Sequence, residues 1–307
     1  MLKTSRKIVL LFVVTIILLS GCSLPGLSGP SEKTVTIGTL GTSESKTIGN
    51  MIKQMIEHNT DLQVEMVGNL GSSTVQHKAM MSGDIDITAT RYTGTDIVGA
   101  LNMDPITDPE KALKTVKREF DQRFNQTWFD SYGFANSYAF TVTSQLAKNK
   151  HLETVSDLEK YASDLRLGVD SAWIERKGVG YDAFVKEYGF EFNRVYPMQL
   201  GLVYQAVANG KMDVVLAYTT DGRIEDFNLV TLKDNKHFFP PYDASPVARN
   251  EVLKKHPELR DILNQLAGKI STKTMRKLNY KADVKLKEPS IIAKNFLEKH
   301  HYFKNKE

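Results

Sequence analysis

Cysteine is almost missing from this chain: Cys22 is the only one among 307 residues. No intrachain disulfide can form, and a zinc site built on several thiolates is excluded. The sequence also lacks the short patterns that carry common catalysis. There is no P-loop, no G-x-G-x-x-G, no H-E-x-x-H and no G-x-S-x-G nucleophile elbow. The seven histidines are scattered, and His300-His301 reads as a solvated tail rather than a metal site. Carboxylates are plentiful, but no pair stands out as acid and base. Asp84 and Asp86 alternate with Ile85 and Ile87, which fits polar groups at a strand start. The expectation is a chain with no catalytic residue, no metal and no cofactor.

Long hydrophobic runs are equally scarce. The apolar or β-branched stretch from Ile8 to Leu19 is twelve residues long, whereas a membrane-spanning helix needs about 20. It follows Lys3, Arg6 and Lys7 and precedes Leu19-Ser20-Gly21-Cys22. A positive n-region, a short apolar h-region and small residues at the end describe a secretory signal, expected here over residues 1–21. Leu-Ser-Gly-Cys resembles the bacterial lipobox, so Cys22 is the expected lipid attachment point. Several acyl chains would make that anchor stable where one alone binds marginally. The Gly, Pro and Ser of residues 22–33 read as a flexible tether.

A large charge of one sign is absent too. Without Lys3, Arg6 and Lys7 the 40 Lys and Arg fall to 37, against 36 Asp and Glu. A net of about +1 gives no basic face for nucleic acid. About 275 residues then remain, enough for one large or two medium domains.

What the chain does have is alternation. Thr34–Gly38 reads as a strand. Ile48, Met51, Ile52, Met55 and Ile56 follow at helical spacing. Strands are expected at Leu62–Val67 and Ile85–Thr90, with a helix around Val75–Met81 between them. Thr107-Asp108-Pro109-Glu110 has the marks of a helix start, a capping box with an early proline. Pro257–Leu266 and Ile291–Leu297 have helical spacing near the end. Such alternation predicts an α/β fold with a largely parallel sheet.

A weak internal repeat carries more information. Gly83 is followed by Asp86, an apolar strand, then Tyr92-Thr93. Gly210 is followed by Asp213, an apolar strand, then Tyr218-Thr219. This predicts two similar lobes, each with a tyrosine at the carboxyl end of a strand, where open α/β sheets bind ligands. Phe134–Val142 is expected to cross into the second lobe and Phe238–Asp243 to return. The expected division is lobe 1 at 34–137 plus 241–307, and lobe 2 at 138–240.

Four stretches resemble the substrate-binding lipoproteins of osmoprotectant ABC importers. They are Arg91-Tyr92-Thr93-Gly94-Thr95-Asp96, then 129–140, then Ala217-Tyr218-Thr219-Thr220-Asp221-Gly222-Arg223-Ile224, and Phe238-Phe239-Pro240-Pro241-Tyr242. The resemblance runs from about Thr34 to Phe303. It implies a type II clamshell of the periplasmic-binding-protein kind. Each lobe would be a mixed sheet flanked by helices, with the ligand in the cleft between lobes. It further implies a cage formed by Tyr92, Tyr138, Tyr218 and Tyr242 around a quaternary ammonium head, as in glycine betaine, carnitine or choline.

The same resemblance gives Thr95 a place facing the ligand, where a neutral donor admits solutes bearing a carboxylate. It sets Leu40 where some members carry a carboxylate-binding Gln. Carboxylate contacts would then fall to Thr42, Ser43, the backbone N–H groups of the following helix, or Thr95. The implied partners are a membrane permease with a separate ATPase, met by a lipid-anchored monomer on the outer face of the cell membrane. Another binding reading is a receptor for amino acids or polyamines, which would favour carboxylates and an Arg clamp. A surface adhesin or sensor is the further alternative.

Overall fold

The computed structural model describes residues 33–175 and 178–303. Cys22, the signal and the tether lie outside the described residues. The body that begins at Val35 contains two five-stranded sheets. The strands are β1 (Thr34–Leu40), β2 (Gln63–Leu70), β3 (Ile87–Tyr92), β4 (Gln126–Trp128), β5 (Tyr138–Thr143), β6 (Arg166–Asp170), β7 (Arg194–Met198), β8 (Val214–Tyr218), β9 (Leu229–Thr231) and β10 (Ala244–Arg249). One sheet runs β2-β1-β3-β10-β4 and the other β7-β6-β8-β5-β9.

The two orders are one topology used twice. β1 pairs parallel with β3, as β6 does with β8. β10 pairs antiparallel with β3 and β4, as β5 does with β8 and β9. Each sheet is therefore mixed and not largely parallel as the alternation alone suggested, because one strand of each, β10 or β5, enters antiparallel from the crossover. Helices cover both faces, so the central strands are buried along nearly their whole length, as strands packed on two sides must be. Ile87 and Ala89 of β3 pack into one apolar cluster, while Val247 of the neighbouring β10 packs into another on the opposite face.

The helix Ser43–Asn59 shows why the alternation was readable. Ile48, Met51, Ile52, Met55 and Ile56 all join the apolar cluster shared by the first sheet and the C-terminal helices and are essentially inaccessible. Each contributes about 1.5–3 kcal/mol by leaving water. Thr42 caps it, its side chain accepting from the Ser45 N–H. The helix Pro109–Phe124 starts one residue later than the expected capping box. Asp108, not Thr107, is the N-cap and accepts from the Lys111 N–H at 2.7 Å. An aspartate caps as well as a threonine, and proline at N1 fixes the start.

The internal repeat has a physical basis. Gly83 and Gly210 both sit at positive φ, 82° and 66°, and end a helix where a side chain would be strained. Asp86 and Asp213 then do the same job. The Asp86 carboxylate accepts from the Thr36 N–H at 2.9 Å and that of Asp213 from the Arg166 N–H at 2.9 Å. Each ties the start of one strand, β1 or β6, to the start of its parallel neighbour, β3 or β8. No helix among the described residues is long and apolar enough to cross a membrane.

Candidate solute-binding cleft

β3 and β8 occupy matching positions and end in Tyr92 and Tyr218. The antiparallel neighbours bring partners into register. Tyr138, the first residue of β5, lies opposite Tyr218, and Ala244, two residues after Tyr242, lies opposite Tyr92. The four tyrosines and Thr95 all line one cleft of about 860 Å³, together with Leu40 and the start of the helix Ser43–Asn59.

Tyr138 and Tyr218 are stacked, ring centroids 4.9 Å apart, and the Tyr218 hydroxyl donates to that of Tyr138 at 3.2 Å. Phe239 backs Tyr138 at 5.6 Å. The hydroxyl bond and the packed ring behind fix the pair before any ligand arrives. Tyr92 is held from the other side. Its hydroxyl donates to Glu44 Oε1 at 2.6 Å. Glu44 is only 2% exposed and accepts two further bonds, from Asn136 Nδ2 at 3.3 Å and Asn279 Nδ2 at 3.2 Å. Burial pushes the Glu44 carboxyl up, and these donors pull it back. Burial, then the adjacent Glu44, push the Tyr92 phenol well above its ordinary value, so it stays protonated.

The turn after β3 is pinned at both ends. Arg91 and Asp96 form a bidentate ion pair with both side chains buried, Nε to Oδ2 at 2.8 Å. The Arg91 guanidinium also lies over the Phe120 ring at 5.3 Å. Tyr92 and Thr95 lie between these two charges in sequence. The Thr93 hydroxyl donates to the Pro241 carbonyl at 2.8 Å and accepts from the Asp243 N–H at 3.2 Å. Those bonds tie the turn to the segment that carries Tyr242. That segment is linked in turn to the other crossover, the Asn136 N–H donating to the Tyr242 carbonyl at 3.1 Å.

The sequence did not point to several residues of the cleft wall. Besides Glu44, Asn136 and Asn279, it holds Ser72 and Ser73 at the start of the helix Ser73–Ser82, and the ion pair Asp221–Arg223. Serine before a helical run was the available signal for Ser72, which caps by accepting from the Val75 N–H at 3.2 Å. The Asn residues carried none, because their partners are far away in sequence.

Residues 33–299 match the family described as the substrate-binding domain of ABC-type glycine betaine transport systems. The chain belongs to that family. Among its relatives is a carnitine transport binding protein of Listeria monocytogenes, 57% identical over 305 residues, covering 98% of this chain and 99% of that one. A glycine-betaine-binding protein of Pseudomonas aeruginosa is 30% identical and covers 88% of each chain. A crystal structure of a glycine betaine/carnitine/choline ABC transporter superposes with a TM-score of 0.86 at 56% identity, covering 88% of this chain and all of that one. As a member of the family, the chain is a two-lobed, type II substrate-binding protein of an ABC importer. Family members are receptors for solute rather than enzymes.

Proposed function

We propose that this chain captures trimethylammonium solutes, carnitine, glycine betaine and choline among them, and delivers them to a permease with a separate ATPase. The observation that carries this reading is the convergence of Tyr92, Tyr138, Tyr218 and Tyr242 on one cleft. A trimethylammonium head has no N–H to donate, so hydrogen bonding cannot select it. Aromatic faces can, through the ring quadrupole, at about 0.5–2 kcal/mol per face. Four faces give about 2–8 kcal/mol, whereas micromolar affinity needs about 8 kcal/mol. Apolar burial of the methyl groups and contacts to the solute's other end must supply the rest.

For a carboxylate at that other end, Leu40 offers no hydrogen bond. Two helix N-termini do, at Ser43 and Ser73, both on the cleft wall. Their free N–H groups and positive dipole ends favour an anion. Thr95 adds a neutral hydroxyl. Arg223, which an amino-acid clamp would recruit, is engaged by Asp221 through Nε at 2.9 Å, and this favours the trimethylammonium reading over an amino-acid receptor.

The rest of the proposal concerns the whole chain. Residues 1–21 are a signal, Cys22 takes the lipid, and 22–33 tether a monomer to the outer face of the cell membrane. Lobe 1 is 34–137 plus 241–307 and lobe 2 is 138–240, a division supported by the strand membership of the two sheets. The test is calorimetric titration of the mature domain lacking Cys22 with glycine betaine, carnitine, choline and proline. Binding of a trimethylammonium solute that disappears in Tyr218→Ala supports the cage. No heat from folded protein with any of them would sink the proposal.

A further inference from the structure

Among the described residues, Glu44 is the only fully buried carboxylate on the cleft wall. Burying an ionised carboxylate is costly unless donors surround it. Here the donors are a phenol, a hydroxyl and two amide N–H groups, from Tyr92, Thr220, Asn136 and Asn279, and none of these bonds requires Glu44 to give a proton. The set suits the anion. It also draws on separate places. Tyr92 ends β3, Asn136 lies in a crossover, Thr220 follows β8, and Asn279 lies in the helix Thr272–Asp283 while donating a second bond to the Thr220 carbonyl at 2.8 Å.

We infer that Glu44 is a buried counter-charge for the solute's cationic head, working through Tyr92, and that it biases the cleft toward solutes of net positive charge. The inference rests on the trimethylammonium reading above. A phenol donating to an anion gains electron density in its ring, and a richer ring face attracts a cation more strongly. The carboxylate adds a charge whose effect reaches beyond contact in a partly dry site. Choline and glycine betaine present the same trimethylammonium head. Choline carries a net charge of one, while betaine adds a carboxylate that Glu44 repels. Attraction and repulsion largely offset each other for betaine and not for choline. A role limited to holding the Tyr92 ring in place would act on both solutes alike, because both offer that ring the same group.

The experiment compares choline and glycine betaine affinities by calorimetry in the wild-type mature domain and in Glu44→Gln. The expected result is a loss of about tenfold for choline, the order of a partly screened unit charge, with a clearly smaller loss for betaine. Equal losses, or none, overturn the inference and leave Glu44 as scaffold. If the wild-type protein binds none of choline, glycine betaine and carnitine, the trimethylammonium reading fails first and takes this one with it, whereas binding of zwitterionic carnitine without choline overturns this inference and leaves that reading standing.

If Glu44→Gln does not fold, an Asp283→Asn variant carries the test through pH. The charged and titratable groups that line the cleft with Glu44 are Tyr92 on β3, Tyr138 on β5, Tyr218 on β8, Tyr242, the ion pair Asp221–Arg223 after β8, and Asp283 on the helix Thr272–Asp283. Tyr92 stays protonated, and Asp283, also pushed up by burial, is removed by the substitution. Glu44 is pushed up, so it takes its proton above the usual carboxylate range. The choline-to-betaine affinity ratio should then fall as the solution is made acidic. A ratio that stays flat overturns the inference.

Discussion

Tyr218 separates two contributions that a single truncation would merge. Its ring faces the cleft and its hydroxyl bonds to Tyr138. Tyr218→Ala removes a cation–π face and the stacking support of Tyr138, at about 1–2 kcal/mol for the face alone. Affinity for glycine betaine should fall tenfold or more. Tyr218→Phe keeps the ring and loses one hydroxyl bond, so affinity should stay within about threefold, less than a neutral hydrogen bond is worth. Calorimetry on both variants checks this, and equal losses would mean the hydroxyl, not the ring face, holds the head. Leu40 predicts in the opposite direction. Leu40→Gln adds an amide donor to the cleft wall and should raise affinity for glycine betaine relative to choline. An unchanged ratio would place the carboxylate elsewhere. The tyrosines were legible because each sits in a long stretch with its own pattern. Glu44 was not. In sequence it looks like any acidic residue in a helix's first turn, and its donors Asn136 and Asn279 lie 92 and 235 residues away. Only the folded chain brings them together.

At the scale of the element, the turn from Tyr92 to Asp96 is the most constrained piece of the cleft. Removing Asp96 would leave Arg91 charged and wholly buried beside Phe120. Breaking a buried pair this way costs about 3–5 kcal/mol. Asp96→Ala should lower the thermal midpoint accordingly and loosen both Tyr92 and Thr95. Asp213→Ala breaks the pair with Arg166, but that guanidinium is 40% exposed and can turn to water. The loss there is the carboxylate's bond to the Arg166 N–H, about 1–2 kcal/mol. Denaturant unfolding of both variants decides it, and similar losses would mean the Arg91 pair is far better hydrated than its burial implies. Elements themselves were readable to differing degrees. The helix Ser43–Asn59 announced itself by a complete apolar stripe. Strand ends did not: β3 continues to Tyr92, past the expected end at Thr90, because Arg91 finds an internal partner in Asp96. A charged residue at a strand end normally signals solvent, and nothing local shows that this one is paired.

Across the whole molecule, the repeat was the feature that sequence could reach, because Gly83 with Asp86 and Gly210 with Asp213 meet the same backbone demand in each sheet. What sequence could not reach is how the segment after β8 leans on the C-terminal helix Thr272–Asp283. A Cβ on Gly222 would lie 2.5 Å from both the Cα and N of Tyr280, backbone that cannot move aside. Beside it, Arg276 Nε donates to the Thr219 carbonyl at 3.0 Å and Asn279 to that of Thr220. These contacts join the two halves of the cleft behind the tyrosines. The expected pivot for a solute that draws the lobes together is this point, with small changes in the crossovers near Asn136 and Tyr242. Two results should follow. Saturating glycine betaine should reduce the radius of gyration in solution scattering. It should also stabilise the protein by about 2.7 kcal/mol at a hundredfold excess over Kd. Gly222→Ala should push 219–223 off the helix, weaken betaine binding and reduce the ligand-induced contraction. If that variant binds and contracts like the wild type, the contact at Tyr280 is incidental and the lobes pivot elsewhere.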